Sequence, residues 1–377
     1  MEEDNYYDSF SYASSFSYYG HNATYLEDGE IVAIPIVFAI ITVVGIIGNG
    51  CVIFVILRNK LMRTCTNYFI MNNAITDMVF LIICVPITGS QFLISDWIYG
   101  AFMCKFVVYM QYVSVQASCA TLMAMTVDRY RVILHPMQSL HTRTVWRTMI
   151  INLFIWLGSF LLHIPIAIYY SLVETLYTNI RMCTPRFRTE NGPVFYEIYA
   201  IIMFYILPFA VMFYCYGRIL ERVWRGRRQL ASSSVNTLRR RRWKVTRMTL
   251  LVVVLFGLCW GPLHTVHLVT LFNIEIHRYV TSFCLCLSYS NSALNPFVYA
   301  FSGRRYRSLL VSSFVWKRGR PISGTTTPSR LTRNNSEHNH YTMELLHMHQ
   351  NGHKYRNGSK RCTIASRVTS QNVEKYV

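Results

Sequence analysis

The chain has 377 residues, of which 52% are apolar and 15% aromatic, and its formal net charge is +19. Length alone would allow two soluble domains, but this apolar content together with a positive mean hydropathy leaves too little polar surface to cover water-soluble cores. The basic balance does not describe a nucleic-acid-binding protein either, because the bases flank apolar runs and no basic folded domain is left over; an anionic inner membrane leaflet is the plainer partner.

In chain order, residues 1–30 are polar and carry seven acids before the first base, Arg58. A basic leader segment is therefore missing, which speaks against a cleaved signal peptide. Asn22-Ala23-Thr24 is an acceptor for N-glycosylation. Seven apolar runs long enough to cross a bilayer follow, at 31–57, 68–94, 102–127, 149–172, 198–217, 248–274 and 279–301. Arg58, Lys60 and Arg63 follow the first run, Arg131, Arg143 and Arg147 the third, and a dense set from Arg218 to Arg247 the fifth, whereas Asp96, Glu174, Glu190 and Glu275 lie in the alternate loops. The bias of bases toward one side places the amino terminus outside the cell and the carboxy terminus in the cytosol. The expected fold is an all-α membrane protein, a seven-transmembrane helix bundle with a short amphipathic eighth helix. Its organisation reads as an outer tail over 1–30, the spanning domain over 31–302, a membrane-surface helix over 303–315 and a disordered, basic cytosolic tail over 316–377.

Polar groups inside these runs point to function, because lipid offers them no partners. Asp77 sits mid-run in the second, Ser118 in the third, and Asn291, Ser292 and Asn295 in the seventh, where Pro296 also removes a backbone donor. Together these oxygens suit a monovalent cation, sodium, with Asp77 as counter-charge; a hydrated hydrogen-bond network without an ion is the alternative. No other cofactor is expected. Asp128-Arg129-Tyr130 closes the third run, where the Arg129 fork folds onto a neighbouring carboxylate until a better acceptor arrives. In the sixth run Phe256, Trp260 and Pro262 form a second group, in which Trp260 is either core filler or a toggle beside a proline-weakened helix. His264 and His267 lie above Trp260 and line a pocket rather than bind metal, since no third ligand is evident. Pro208 does for the fifth run what Pro262 does for the sixth. Cys104, at the outer end of the third run, and Cys183, in the loop before the fifth, both face the oxidising side, so a disulfide is expected, with two free thiols as the alternative.

Asn49, Asp77, Asp128-Arg129-Tyr130, Trp156, Pro208, Cys259-Trp260-Gly261-Pro262 and Asn295-Pro296-x-x-Tyr299 fall one per run, in the order seen in rhodopsin-like (class A) G-protein-coupled receptors, which this chain resembles over about 31–315. Within that family, Phe102 to Val107, Val113 to Leu122 and Ser288 to Pro296 are similar to the kisspeptin receptors, with the galanin and allatostatin-A receptors as nearest relatives. The resemblance implies a plasma-membrane receptor and not an enzyme. It further implies an amidated RF-type peptide agonist and a heterotrimeric G protein of the Gq class, with phospholipase C and calcium downstream and a galanin- or allatostatin-A-type peptide as the alternative. Asn73 departs from it, replacing the leucine usual one turn before the aspartate of the second run, and the basic run Arg239 to Arg242 lacks the acid that latches Arg129 in some relatives. Gln111 stands where amine receptors carry Asp, which leaves a monoamine without a counter-ion and favours a peptide. Gln111, His264, His267 and Glu275 are the pocket candidates, and Asp96, Glu174, Glu190 and Glu197 the acids that would draw a cationic ligand.

The expected switch runs from ligand contact above Trp260 through the polar network of Asp77 and Asn295 to Tyr299, opening the inner side around Arg129. Met137, the bases after the fifth run and the stretch 303–314 would then face the G protein. Tail residues such as Ser323, Thr325 and Ser336 are candidate sites for receptor kinases and arrestin. A transporter or channel is the rival from another class. It predicts repeated halves, and no internal repeat is present.

Overall fold

The computed structural model describes residues 28–94, 96–175, 179–187, 189, 191–227, 233–272, 274, 276–302, 306–309 and 311. Asn22, Glu190, Glu275, Gly303 to Arg305, the side chains of Arg239 to Arg242 and the tail serines and threonines lie outside the described residues. Residues up to Phe314 and those from Val315 onward form separate units, and only the first contains described residues.

Seven long helices build the described part. They are α1 (Asp28–Arg58), α2 (Cys65–Ser90), α3 (Gly100–Leu134), α4 (Val145–Leu162, prolonged by a turn over Ile164–Tyr169), α5 (Gly192–Ile201, a π-turn over Ile202–Ile206, then Leu207–Arg227), α6 (Ser233–Thr270) and α7 (Arg278–Ser302). Local chemistry sets several of these ends. Thr64 accepts from the Asn67 backbone N–H and opens α2, while Thr144 accepts from that of Arg147 and opens α4. A short helix over Pro136–Thr142, with proline at its first turn, joins α3 to α4.

The burial pattern is that of a protein whose solvent is lipid. In α4 the buried side chains are the small polar Thr148 and Ser159, while Trp146, Leu153, Phe154, Leu157 and Leu161 face outward. Along α1 the exposed residues Ile36, Ile40, Val43, Ile47 and Phe54 recur at helical spacing. Such continuous apolar surface is untenable in water and ordinary in a bilayer. Five helical segments, Val32–Arg58, Cys65–Ser90, Val145–Tyr169, Val194–Arg225 and Trp243–Thr270, are long and apolar enough to cross a membrane by themselves. The other two, α3 and α7, carry polar side chains that their neighbours cover, among them Ser118, Asn291 and Asn295.

The seventh helix is held by close backbone approach. A Cβ on Gly48 would meet Pro296 at 3.0 Å, and one on Gly45 would strike the Leu81 side chain at 2.5 Å, so glycine at both positions lets α1 approach α2 and α7 without displacing either side chain. Where the fourth run was expected to reach residue 172, the chain instead leaves the helix at Tyr170 and enters a hairpin, β1 (Tyr170–Glu174) paired antiparallel with β2 (Arg181–Pro185). The apolar Leu172 and Val173 satisfy a strand as well as a helix, and the pairing with β2 decides between them. Likewise α6 ends at Thr270 rather than at 274.

Candidate functional site

The disulfide end of the bundle is organised around the hairpin. Cys183 on β2 is bonded to Cys104 in the second turn of α3. Trp97, fully buried, donates its backbone N–H to the Arg181 carbonyl at 2.8 Å and its indole N–H to the Gly100 carbonyl at 2.9 Å. Gly100 has φ of +77°, a conformation that a side chain would strain. Asp96 pairs with Arg181 at 2.6 Å, and the guanidinium hydrogen bond holds the Asp96 carboxyl below its ordinary value. Of the acids expected to draw a ligand, Asp96 is thus already engaged.

Toward the same end, side chains of α5 and α6 meet. His267 Nδ1 lies 2.9 Å from Glu197 Oε1, a buried pairing between α6 and α5. Glu197 is therefore not a solvated loop acid but a member of the helix core. The His264 ring lies 6.1 Å from that of Trp260, tilted by 31°, and 5.4 Å from that of Tyr205, and neither of its buried ring nitrogens has a hydrogen-bond partner among the described residues. The Gln111 carbonyl oxygen and the Trp260 indole N–H are equally unpartnered. Buried polar atoms without partners are costly, so this cluster is where a polar ligand has most to satisfy.

The prolines expected to weaken helices have specific neighbours. Pro208 leaves the Phe204 carbonyl without its helical donor, and the Cys119 thiol of α3 meets that oxygen at 3.1 Å. The π-turn Ile202–Ile206 sits immediately before it. Pro296 similarly frees the Ser292 carbonyl, to which Asn49 Nδ2 donates at 2.9 Å across from α1. Phe256, Trp260 and His264 form a column of rings down α6, with Phe256 6.1 Å from Trp260.

Just below Trp260 is a cavity of about 10 Å³, the size of a single water, lined by Asp77, Ser114, Ser118, Asn291, Ser292 and Thr76 together with Phe80, Val115, Phe256 and Trp260. Asp77 Oδ2 accepts hydrogen bonds from Asn295 Nδ2 at 2.9 Å and from Asn73 Nδ2 at 3.0 Å. All the residues expected to surround an ion are thus brought together, Asn295 through its hydrogen bond to the carboxylate. Tyr299 is buried one helical turn from Asn295.

At the opposite end Arg129 is buried and donates to Asp128 and to the Thr66 hydroxyl. The neighbouring carboxylate does not serve Arg129 alone. Arg143, beyond the short helix, also takes Asp128, through Nε to Oδ1 at 2.8 Å and Nη2 to Oδ2 at 3.2 Å, and reaches Thr66 at 2.7 Å. Two guanidiniums therefore share one carboxylate and one hydroxyl. Tyr130 packs against His135 and Tyr214 of α5, and Tyr216 of α5 donates to Thr249 of α6 at 2.9 Å. Met137 is exposed on the short helix. A separate relay ties the sides of the bundle: the Trp156 indole N–H donates to Asn72 at 3.0 Å, and Asn72 to Thr121 at 2.7 Å.

Thr66, Asn72 and Cys119 escaped the sequence reading, which gave Arg143 only as a loop base and Glu197 only as an acid that draws a ligand. Glu197, an acid at the start of an apolar run, carried a visible signal; a threonine or cysteine matched to a partner on another helix did not.

This arrangement matches a family model described as "7 transmembrane receptor (rhodopsin family)" over residues 48–299. The chain belongs to the rhodopsin family of seven-transmembrane receptors. It is a multi-pass membrane protein. Over 310 residues, 79% of this chain and 82% of the relative, it is 36% identical to "G-protein coupled receptor 54" of Oreochromis niloticus. It is also 36% identical to the "KiSS-1 receptor" of Rattus norvegicus over 73% of this chain and 72% of the relative. To the "Allatostatin-A receptor" of Bombyx mori it is 33% identical, over 75% of this chain and 81% of the relative.

Proposed function

We propose that this chain is a plasma-membrane receptor for an amidated neuropeptide of the kisspeptin type, signalling through a Gq-class G protein to phospholipase C and calcium. The observation that carries this reading is the line of side chains from the unpartnered His264 ring, through Trp260 and the small cavity, to Asp77 and Asn295. The names of the relatives supply the ligand class. The bias of bases orients it, with the amino terminus outside, Asn22 glycosylated, and the tail available to receptor kinases and arrestin.

In this mechanism the peptide amide bonds to Gln111 and His264, and its contacts differ between two helix arrangements, so binding shifts their populations. Trp260 responds because it lies directly under His264. Movement of α6 pulls on the Tyr216 to Thr249 bond, and Arg129 exchanges Asp128 for an acceptor on the G protein. Tyr130 and Met137 complete the docking face. The cavity, with a single carboxylate among neutral oxygens, fits a sodium ion held by Asp77, Ser118, Asn291, Ser292 and Asn295. Such an ion, when bound, would supply a positive charge opposing the Asp77 carboxylate.

The test is calcium release in cells expressing the chain, challenged with kisspeptin-, galanin- and allatostatin-A-type peptides in amidated and free-acid forms, with and without a Gq inhibitor. The expected result is a response to amidated kisspeptin-type peptide that the inhibitor removes. A response confined to a galanin- or allatostatin-A-type peptide would reassign the ligand, and ion flux independent of any G protein would overturn the receptor mechanism. Arg129→Ala should lower the maximal response by about tenfold or more while peptide binding persists, since its site is at the far end of the bundle.

A further inference from the structure

The side chain of Asn73 bears directly on the cavity beside Asp77. It is fully buried on α2, one helical turn from the aspartate. Its Nδ2 donates to Asp77 Oδ2 at 3.0 Å, and its Oδ1 accepts from the Ser118 hydroxyl at 3.0 Å. The amide can face only this way, because a carboxylate only accepts; the nitrogen must point at Asp77, which leaves the oxygen to Ser118. Asn295 Nδ2 donates to the same Asp77 oxygen at 2.9 Å.

The chain thus presents two N–H dipoles to one carboxylate oxygen. A cation approaching that oxygen meets their positive ends and must displace or share with them, and it gains less than it would from a carboxylate with one donor. Asp77 is the one carboxylate in the lining of the cavity, so it is the charge that a cation there would meet. Asn73 also bridges Asp77 on α2 to Ser118 on α3, a connection that an ion between the two would otherwise provide. An apolar residue at 73 could do neither.

We propose that Asn73 sets the cation affinity of this cavity, standing in for part of the ion by binding two of its ligands and thereby weakening sodium binding. The proposal rests on the reading that the cavity takes a cation. It makes Asn73 a positioning residue for that site rather than a ligand in it.

The experiment is the melting temperature of the purified full-length receptor in detergent, titrated with sodium chloride against choline chloride at equal ionic strength, for wild type, Asn73→Ala, Asn73→Leu and Asp77→Asn. Losing one charge-assisted hydrogen bond should move the sodium midpoint about tenfold lower in both Asn73 variants, and Asp77→Asn should remove the sodium-specific rise. Two variants are needed because alanine leaves room for water and leucine fills the space. A sodium-specific rise seen only in the Asn73 variants is the same result at its limit. A saturable wild-type rise whose midpoint is unchanged or higher in both variants overturns the role of Asn73 and leaves the cation reading standing. No sodium-specific rise in wild type or in either variant overturns the cation reading and the proposal with it.

Discussion

At the scale of single residues, two polar side chains inside the bundle, Asn49 and Cys119, replace backbone donors that prolines removed. Asn49 is the clearest case. Its amide donates both to the Gly45 carbonyl at 3.0 Å and to the Ser292 carbonyl at 2.9 Å, and the latter is the oxygen that Pro296 leaves unpaired. Replacing Asn49 by Ala would leave a buried carbonyl with neither protein nor lipid to meet it. We expect Asn49→Ala to destabilise the protein by about 1–3 kcal/mol, read as a lower melting temperature in detergent. The replacement is silent at the glycines, so α1 and α7 would keep their close approach while losing their polar tie. Neither Pro296 nor Asn49 reveals this pairing alone; Pro296 reads in the sequence as a lost donor and Asn49 only as an anchor of the family resemblance, and their complementarity depends on α1 and α7 being neighbours.

At the scale of elements, the hairpin and α3 form one unit at the disulfide end. The Cys104 to Cys183 bond, the Trp97 backbone hydrogen bond to Arg181 and the Asp96 to Arg181 pair all tie β2 to the start of α3 or the turn before it. The bond closes a loop of sequence separation 79, and a cross-link over a loop of that length constrains the unfolded chain by about 4 kcal/mol. The Asp96 pair adds a pH dependence whose sign follows from its lowered folded value. A depressed carboxyl contributes stability above the ordinary carboxylate range, and that contribution is lost as pH falls through the folded value. Acidification below the ordinary range should therefore loosen the hairpin, and Asp96→Asn should remove that component of the pH profile; hydrogen exchange at the β1 and β2 amides would report both. The two cysteines were identifiable from their position at one end of the bundle, but the strands were not, because Tyr170 to Glu174 continues an apolar run and only pairing with Arg181 to Pro185 fixes its conformation.

At the scale of the whole molecule, the outward-facing side chains decide the environment and the inward-facing ones the switch. An epitope tag on the amino terminus should be accessible to antibody on intact cells and one on the carboxy terminus only after permeabilisation; the reverse pattern would overturn the proposed orientation. The number of helices, their order and the identity of most site residues follow from the sequence by itself, since apolar runs, intramembrane polar residues and prolines are local features with local physical costs. Tertiary structure alone decided which of these meet. Arg143 reaching Asp128, the Cys119 thiol covering the Phe204 carbonyl, Glu197 turning into the core toward His267, and Asn73 bridging Asp77 to Ser118 each join helices distant in sequence. A side chain that is unremarkable on its own helix acquires its role from the unsatisfied group that packing brings opposite it.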